Sequence, residues 1–290
     1  LMLKSRLCIA FFAFAVGCAP AQKPLTDYVN PMLGTATLWD SVDLGFKPTK
    51  RTWGAEVFPG SSLPNAMVQV SPVTKFHSGA GYQYEDSVIY GFTHTNKGHW
   101  NLCHIPLLPV TGTPTPGDYC SPFSHERESA APGYYQVFLD RYGVDAQLSS
   151  TLRCAFHKYT YPAGAAASLL ADLQRSNEHV RAWDIRKEGD NVFAGWQQTG
   201  EKMYFYAVAN RPVTGIEPVV EGDREVRIVR FGEGDGALEL RIGFSFVSEK
   251  NARENHEAEM LGKSFAEVRS EATATWNDLL GRIRVEGGTE

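Results

Sequence analysis

A chain of 290 residues, with 43% hydrophobic and 21% charged side chains, carries enough apolar material for one large folded unit or two smaller ones. Its formal net charge of −5 lacks the basic excess that binding to phosphate backbones demands, so nucleic acid is excluded as a partner. An aromatic share of 12% favours a β-rich scaffold and supplies flat apolar faces of the kind that stack on sugar rings.

The N-terminus reads as an address. Lys4 and Arg6 precede an apolar run from Leu7 to Val16, too short to span a bilayer, which ends in Ala15-Val16-Gly17-Cys18. Small residues leading directly into a cysteine resemble a bacterial lipobox. Residues 1–17 are therefore expected to be a lipoprotein signal peptide, Cys18 the lipidated residue, and 18–24 a tether. The expected location is a bacterial outer membrane, facing the periplasm or the cell surface. Cys103, Cys120 and Cys154 remain, an odd number without a Cys-x-x-Cys pair, so at most one disulfide forms and no zinc ribbon is indicated.

Leu25 to Thr35 reads as a short strand breaking into a loop at Asn30-Pro31, and Phe58 to Asn65 as a turn cluster built on Pro and Gly. Met67–Ser71 is a short strand, and Tyr82 to Phe92 alternates into the polar loop from Gly91 to His104. That loop holds three of the eight histidines, with Lys97, Trp100, Asn96 and Asn101, ahead of the apolar run Ile105–Val110. A loop so dense in hydrogen-bonding and aromatic groups, between two β-like segments, is a candidate ligand-facing loop. His94, His99 and His104 lie five apart, a spacing that alternates faces on a strand, so no metal site is read here.

From Gly133 onward the period is two. Tyr135, Val137 and Leu139 share one face, and Val144, Ala146 and Leu148 another, which predicts a hairpin. Further strands are expected at 156–161, 167–172, 181–186, 192–197, 203–209, 226–231 and 238–246. The run Gly232 to Gly236 is read as the hairpin turn joining the last two, because no helix or Lys-Ser/Thr follows it as a phosphate loop requires. Short strands with turn signals about every ten residues predict an antiparallel β-sandwich over 25–249. The pattern then changes. A short helix is capped near Asn251, and Ser264-Phe265-Ala266-Glu267 forms a capping box. Phe265, Val268, Ala272, Trp276, Leu279 and Ile283 recur at helical spacing, giving residues 250–290 the look of a linker whose apolar face needs a partner.

Nine segments in order resemble the N-terminal domain of glycoside hydrolase family 92, the calcium-dependent exo-acting α-mannosidases. They are Tyr28 to Thr35, Phe58 to Pro64, Met67 to Pro72, Gly81-Tyr82, Tyr90 to Thr95, Phe123 to Glu126 with Pro132 to Tyr135, Phe156-His157 with Tyr159, Gly243 to Ser248, and Trp276-Asn277 with Val285 to Glu290. Many relatives continue His-Leu-Ser-Gly-Thr-Gly where this chain has Asn96-Lys97-Gly98-His99-Trp100-Asn101, which bears on the linkage or leaving group accepted. The resemblance also implies an (α/α)6 barrel after the Glu286 to Glu290 segment. That barrel supplies the general acid, the general base and most of the Ca2+ coordination, and its absence from this chain implies an inactive, truncated fragment.

Inverting hydrolysis needs two carboxyl groups about 6.5–9.5 Å apart. The local pairs Asp40/Asp43, Glu85/Asp86 and Glu126/Glu128 read as turn charges, since neighbouring strand residues such as Glu85 and Asp86 point to opposite faces. No catalytic residue is therefore assigned on this chain. The resemblance implies that the β domain lends loop residues to an interdomain pocket, with Gly34, Thr35, Phe58, Gly60, His94, His99 and Trp100 as substrate-side contacts. The expected partners are a mannose-containing glycan, the barrel domain and, through the lipid, the outer membrane. The alternative from another class is a stand-alone lipoprotein module that binds mannose-containing glycans without cleaving them.

Overall fold

The computed structural model describes residues 23–38, 45–47, 57–98, 100–234 and 236–283. The expected signal peptide, Cys18, Asp40, Asp43 and His99 lie outside the described residues. Two antiparallel sheets carry the fold, their strands numbered along the chain. The first has seven strands in the order β1 (Ser61–Ser62), β2 (Gln69–Val73), β4 (Gly91–Thr93), β7 (Leu107–Val110), β13 (Ser168–Ala171), β18 (Arg224–Phe231) and β17 (Val213–Glu221). The second has eight, in the order β14 (Ala182–Gly189), β15 (Val192–Gln198), β16 (Lys202–Ala209), β19 (Leu238–Ser245), β12 (Cys154–Thr160), β11 (Val144–Ser150), β10 (Tyr134–Leu139) and β9 (Glu128–Ala131). Two small ribbons join β3 (Val88–Ile89) to β8 (Ser121–Pro122), and β5 (Asn96–Lys97) to β6 (Trp100–Asn101).

The sandwich follows from the period-two strands. On β16, Met203, Phe205, Ala207 and Ala209 are buried, while Lys202, Tyr204, Tyr206 and Val208 alternate with them on the outer face. β13 is buried along its whole length, as its apolar run Ser168-Leu169-Leu170-Ala171 requires of a central strand. One core fills the space between the sheets, with Phe92, Tyr135, Tyr159, Phe193, Phe205 and Phe244 among its largest members. The hairpin read over 133–150 is present, with Val137 opposite Ala146.

Two expectations are corrected. Leu25–Tyr28, read as the start of a strand, is a 3-10 helix, its turn closed by the Asp27 amide donating to the Pro24 carbonyl at 3.0 Å. Phe231 and Leu238 do not flank a hairpin turn: β18 pairs with β13 and β17 in the first sheet, and β19 with β12 and β16 in the second. The Gly232–Gly236 run is a crossover from one sheet to the other. β17 itself carries Gly215 and Pro218, which weaken a strand reading in sequence. It forms because it is an edge, where a missing N–H costs no ladder bond, with a register shift between Val213 and Gly215.

Helix α1 (Glu249–Glu259) is capped by Ser248, whose hydroxyl accepts from the Asn251 amide at 3.1 Å. It packs against β19 at Gly243, where a Cβ would lie 2.2 Å from the Ala252 carbonyl oxygen. Helix α2 (Phe265–Leu280) begins with the expected capping box: the Ser264 hydroxyl accepts from the Glu267 amide, and the Glu267 carboxylate accepts from the Ser264 amide at 2.8 Å. Phe265, Val268 and Met260 join Tyr134, Cys154 and Phe156 in a satellite core on the outside of the second sheet. Trp276 and Leu279, in the second half of α2, are only half-buried. The Trp276 indole donates to the Ser62 carbonyl at 2.7 Å, and Asn277 accepts from the Thr26 amide at 3.0 Å. Cys103, Cys120 and Cys154 are all free thiols.

Candidate functional site

The loop from Gly91 to His104 has a root and a tip. At the root, His94 is wholly buried, its ring 4.5 Å from that of Phe244 and 5.1 Å from that of His157. Its Nδ1 faces the His104 carbonyl oxygen at 3.4 Å, its Nε2 lies 3.1 Å from His157 Nε2, and His157 Nδ1 lies 2.5 Å from the Tyr159 hydroxyl. A carbonyl only accepts, so His94 carries its proton on Nδ1 and accepts at Nε2. His157 then donates from Nε2 and accepts from Tyr159. Both rings are neutral in this chain of bonds. Burial pushes the His94 pKa down to about 3 and holds His157 well below the ordinary histidine value.

At the tip, β5 and β6 form a hairpin that pairs Asn96 with Asn101 and Lys97 with Trp100. Asn101 is fully buried: its Oδ1 accepts from the Cys103 amide at 2.7 Å, and its own amide donates to Gly79 at 2.9 Å. A second loop holds the tip from the other side. Asn177 Nδ2 donates to the Asn101 carbonyl at 2.6 Å, and the Ser176 hydroxyl donates to that of Leu102 at 2.7 Å. Gln197, on β15, ties both loops down. Its Oε1 accepts from the Ile105 amide at 2.8 Å, and its Nε2 donates to the Leu173 and Arg175 carbonyls, each at 3.0 Å.

His104 belongs to this polar layer. Its Nε2 lies 2.9 Å from the Thr199 hydroxyl, which itself donates to Glu178 at 2.6 Å. Thr199 must therefore accept from His104, leaving Nδ1 to accept from the Thr95 hydroxyl 2.9 Å away. The ring is neutral, and desolvation lowers its pKa despite the nearby Glu178 carboxylate.

Backbone strain gathers in the same place. Among the described residues, the non-glycine positions with positive φ are Asn65, His77, Cys103 and Ile105, and the last three belong to this cluster. A β-branched residue such as Ile105 at φ 54° is an outlier that only strongly determined surroundings maintain. A groove of about 800 Å3 opens along the 174–183 loop, bounded by His77, Arg175, Asn177, Glu178, His179 and Trp183. His77 enters through its amide, which donates to Asn177 Oδ1 at 2.6 Å. The Arg175 guanidinium sits 4.1 Å from the ring centre of Phe76 and 4.8 Å from that of Tyr90. The amide group of Asn96 is buried, and neither its oxygen nor its nitrogen has a hydrogen-bond partner among the described residues.

The residues singled out by sequence are thus divided. Trp100 is half-buried at the tip. His94 is in the core, where it offers no surface. Thr35 is buried, its hydroxyl donating to Met32 at 2.8 Å, and its carbonyl accepts from the Tyr84 amide at 3.2 Å. Gly34 provides the positive φ, 86°, of that turn. Gly60 packs elsewhere, with its α-carbon so close to β2 that a Cβ would lie 1.9 Å from the Val70 carbonyl oxygen; Phe58, just before it, is half-buried. Sequence reasoning passed over Gln197, Ser176, Asn177, Thr199 and His77. The uninterrupted polar run Gln174 to His179 between two strand patterns was the available signal.

Of the candidate carboxylates, Glu85, Asp86 and Glu128 are tied into the scaffold. Glu85 accepts from the Thr37 amide at 2.6 Å, and Asp86 accepts from the Thr74 hydroxyl at 2.8 Å. Glu128 is fully buried beneath Tyr82, Tyr135 and His125, the Tyr135 hydroxyl donating at 2.6 Å. Among the described residues no group of three or more His, Cys, Asp or Glu comes together to hold a metal ion. The Ca2+ implied by the resemblance finds no donor set there.

A family model of the glycosyl hydrolase family 92 N-terminal domain matches residues 28–256. The chain belongs to glycosyl hydrolase family 92. The family 92 α-mannosidase structure from Bacteroides thetaiotaomicron superposes with a TM-score of 0.79 at 26% identity, over 92% of this chain and 39% of its own. A family 92 inverting mannosidase from the same bacterium gives 0.76 at 25% identity, over 91% and 37%. A secreted, uncharacterized glycosidase of Arthroderma benhamiae is 24% identical over 90% of this chain and 38% of its own length. This family 92 chain therefore spans about two-fifths of the length of the relatives it matches.

Proposed function

We propose that this chain is the β domain of a secreted α-mannosidase, and that the tip of the 91–104 loop with the 174–183 loop forms a substrate-side wall for a terminal α-mannoside. The observation that carries the reading is the open groove lined by His77 and the 174–183 loop, to which the 91–104 loop, with its strained Cys103 and Ile105 backbones, is tied by Asn177 and Ser176. Asn96 offers one acceptor and two donors, the complement of vicinal sugar hydroxyls. Trp100 and Trp183 offer ring faces for a pyranose. In this reading Asn96, Trp100, Asn177 and Trp183 position the sugar and exclude water, and they move no proton. His94 acts one step back, fixing the root of the loop.

The names of the relatives support the substrate class, since two solved ones are mannosidases and a further one is a secreted glycosidase. The engagement of Glu85, Asp86 and Glu128 in structural bonds supports the further proposal that the chain alone does not hydrolyse glycosides. Calcium and the acid–base pair belong, in this reading, to the remainder of a family enzyme, and Cys18 would hold the protein to a membrane surface. Two assays on the purified chain test the proposal. Calorimetric titration with α-linked mannobiose is expected to show weak binding that Asn96→Ala reduces at least fivefold, while an aryl α-mannoside releases no phenol above a buffer blank. Binding unchanged by Asn96→Ala would move the site elsewhere, and steady release of phenol would refute the assignment of the acid–base pair to another segment.

A further inference from the structure

The opposite end of the sandwich holds a buried arginine with which no described carboxylate pairs. Strand β13 enters from the 161–167 loop, beside Val110, and leaves beside Leu107 toward the 172–181 loop and the groove. Three crossovers between the sheets meet at its entry end: 161–167 before β13, 210–212 before β17, and 232–237 before β19. Arg211 lies at their centre with only 9% of its surface exposed. Its Nη2 donates to the Gly236 carbonyl at 2.5 Å, and its buried Nε has no partner among the described residues. Arginines are rarely buried to nine-tenths unless paired, yet no described Asp or Glu forms an ion pair with Arg211.

Beside it is a cavity of about 300 Å3, walled by Arg211, Gly164 to Ala167, Phe231, Gly232, Glu233 and Gly234. The wall is mostly small residues and backbone, so the guanidinium is its dominant charged feature. Gly234 packs closely on the guanidinium: a Cβ there would lie 3.0 Å from Arg211 Nε. Glu233, exposed on the rim, carries the one opposing charge among the described lining residues. A buried guanidinium with a free N–H next to a small open cavity has the chemistry of an oxyanion receptor.

We propose that the Arg211 cavity binds a small anionic group, a carboxylate or a phosphate or sulfate ester, at a site separate from the groove. Bound there, the anion accepts from Arg211 and supplies the missing counter-charge. Glu233 at the rim weakens binding by repulsion and sets its threshold.

The test uses the full chain with inorganic phosphate and with acetate, each against sodium chloride at matched ionic strength. The readout is the Arg211 Nε–H resonance together with the melting temperature. A saturable shift of that resonance and a rise in melting temperature are expected with at least one anion. Phosphate alone would identify an ester-type ligand, and acetate alone a carboxylate. Glu233→Gln is expected to lower the half-saturating concentration by roughly three- to tenfold, and Arg211→Gln to abolish the response. No saturable shift in either the wild type or Glu233→Gln would overturn the proposal, as would an unchanged response in Arg211→Gln. Should Arg211→Gln fail to fold, the wild type and Glu233→Gln decide between these outcomes. Asp235 lies outside the described residues; a large displacement of the Arg211 resonance in Asp235→Asn without added anion would show the charge to be met within the chain, and would also overturn it.

Discussion

The root and the tip of the 91–104 loop are built from the same residue types and held by opposite forces. At the root, His94 is packed among Phe244 and His157 with no solvent, and its proton is fixed by a one-way chain of bonds. At the tip, His104 is as deeply buried but surrounded by Thr95, Thr199 and Glu178, and the backbone around it is bent into positive φ. The root resists deformation because any change creates a void or a buried charge. The tip is fixed instead by hydrogen bonds reaching across from β15 and the 174–178 loop. A binding loop needs both, a stiff base and a polar end whose groups face a ligand.

Gln197→Leu is expected to break the tip most severely, since it leaves the Ile105 amide and two carbonyls buried without partners. A loss of about 3–4 kcal/mol in urea unfolding is predicted. Acid is expected to break the root. His94 and His157 have folded pKa values lowered below the unfolded ones, so their contribution is complete above about pH 6.5 and is lost as pH falls toward the folded value. Between pH 7 and pH 5, His94 alone costs about 2 kcal/mol, and His157 adds in the same direction. A stability flat over that range would contradict the neutral pair.

Much of the sandwich that carries the root was legible in the chain. Period two over 133–150 and 192–209 placed the strands, and the capping box placed α2, because these are local patterns with one geometric solution. The tip was not legible, since its geometry is set by side chains from residues 176, 177, 197 and 199, nearly a hundred positions away. His94 shows the limit clearly: in sequence it is one of three similar histidines on a polar loop, and only pairing β4 with β2 and β7 turns it inward. The Gly232–Gly236 run misled for the same reason, because whether a turn closes a hairpin or crosses between sheets depends on which partners the flanking strands find.

Smaller changes sharpen the contrast. Thr199→Val should cost about 1–2 kcal/mol by leaving His104 Nε2–H unpaired, and it should leave the acid transition of the root in place. His77→Gly should have the opposite sign. Its side chain is exposed and its φ is 60°, so glycine relieves strain and is expected to raise stability by about 0.5–1 kcal/mol. If the strain serves to present the groove, that more stable variant will bind mannobiose less well than the wild type. Equal or tighter binding would detach the strain from function.

The most direct measurement is an NMR titration of the chain with methyl α-mannoside, following the tryptophan indole N–H signals. The account predicts that Trp100 and Trp183 shift together and saturate, while Trp276, whose indole is bonded to Ser62 against helix α2, stays still. Saturable movement of Trp276 with Trp100 and Trp183 unchanged would place the sugar on the other side of the molecule and contradict it.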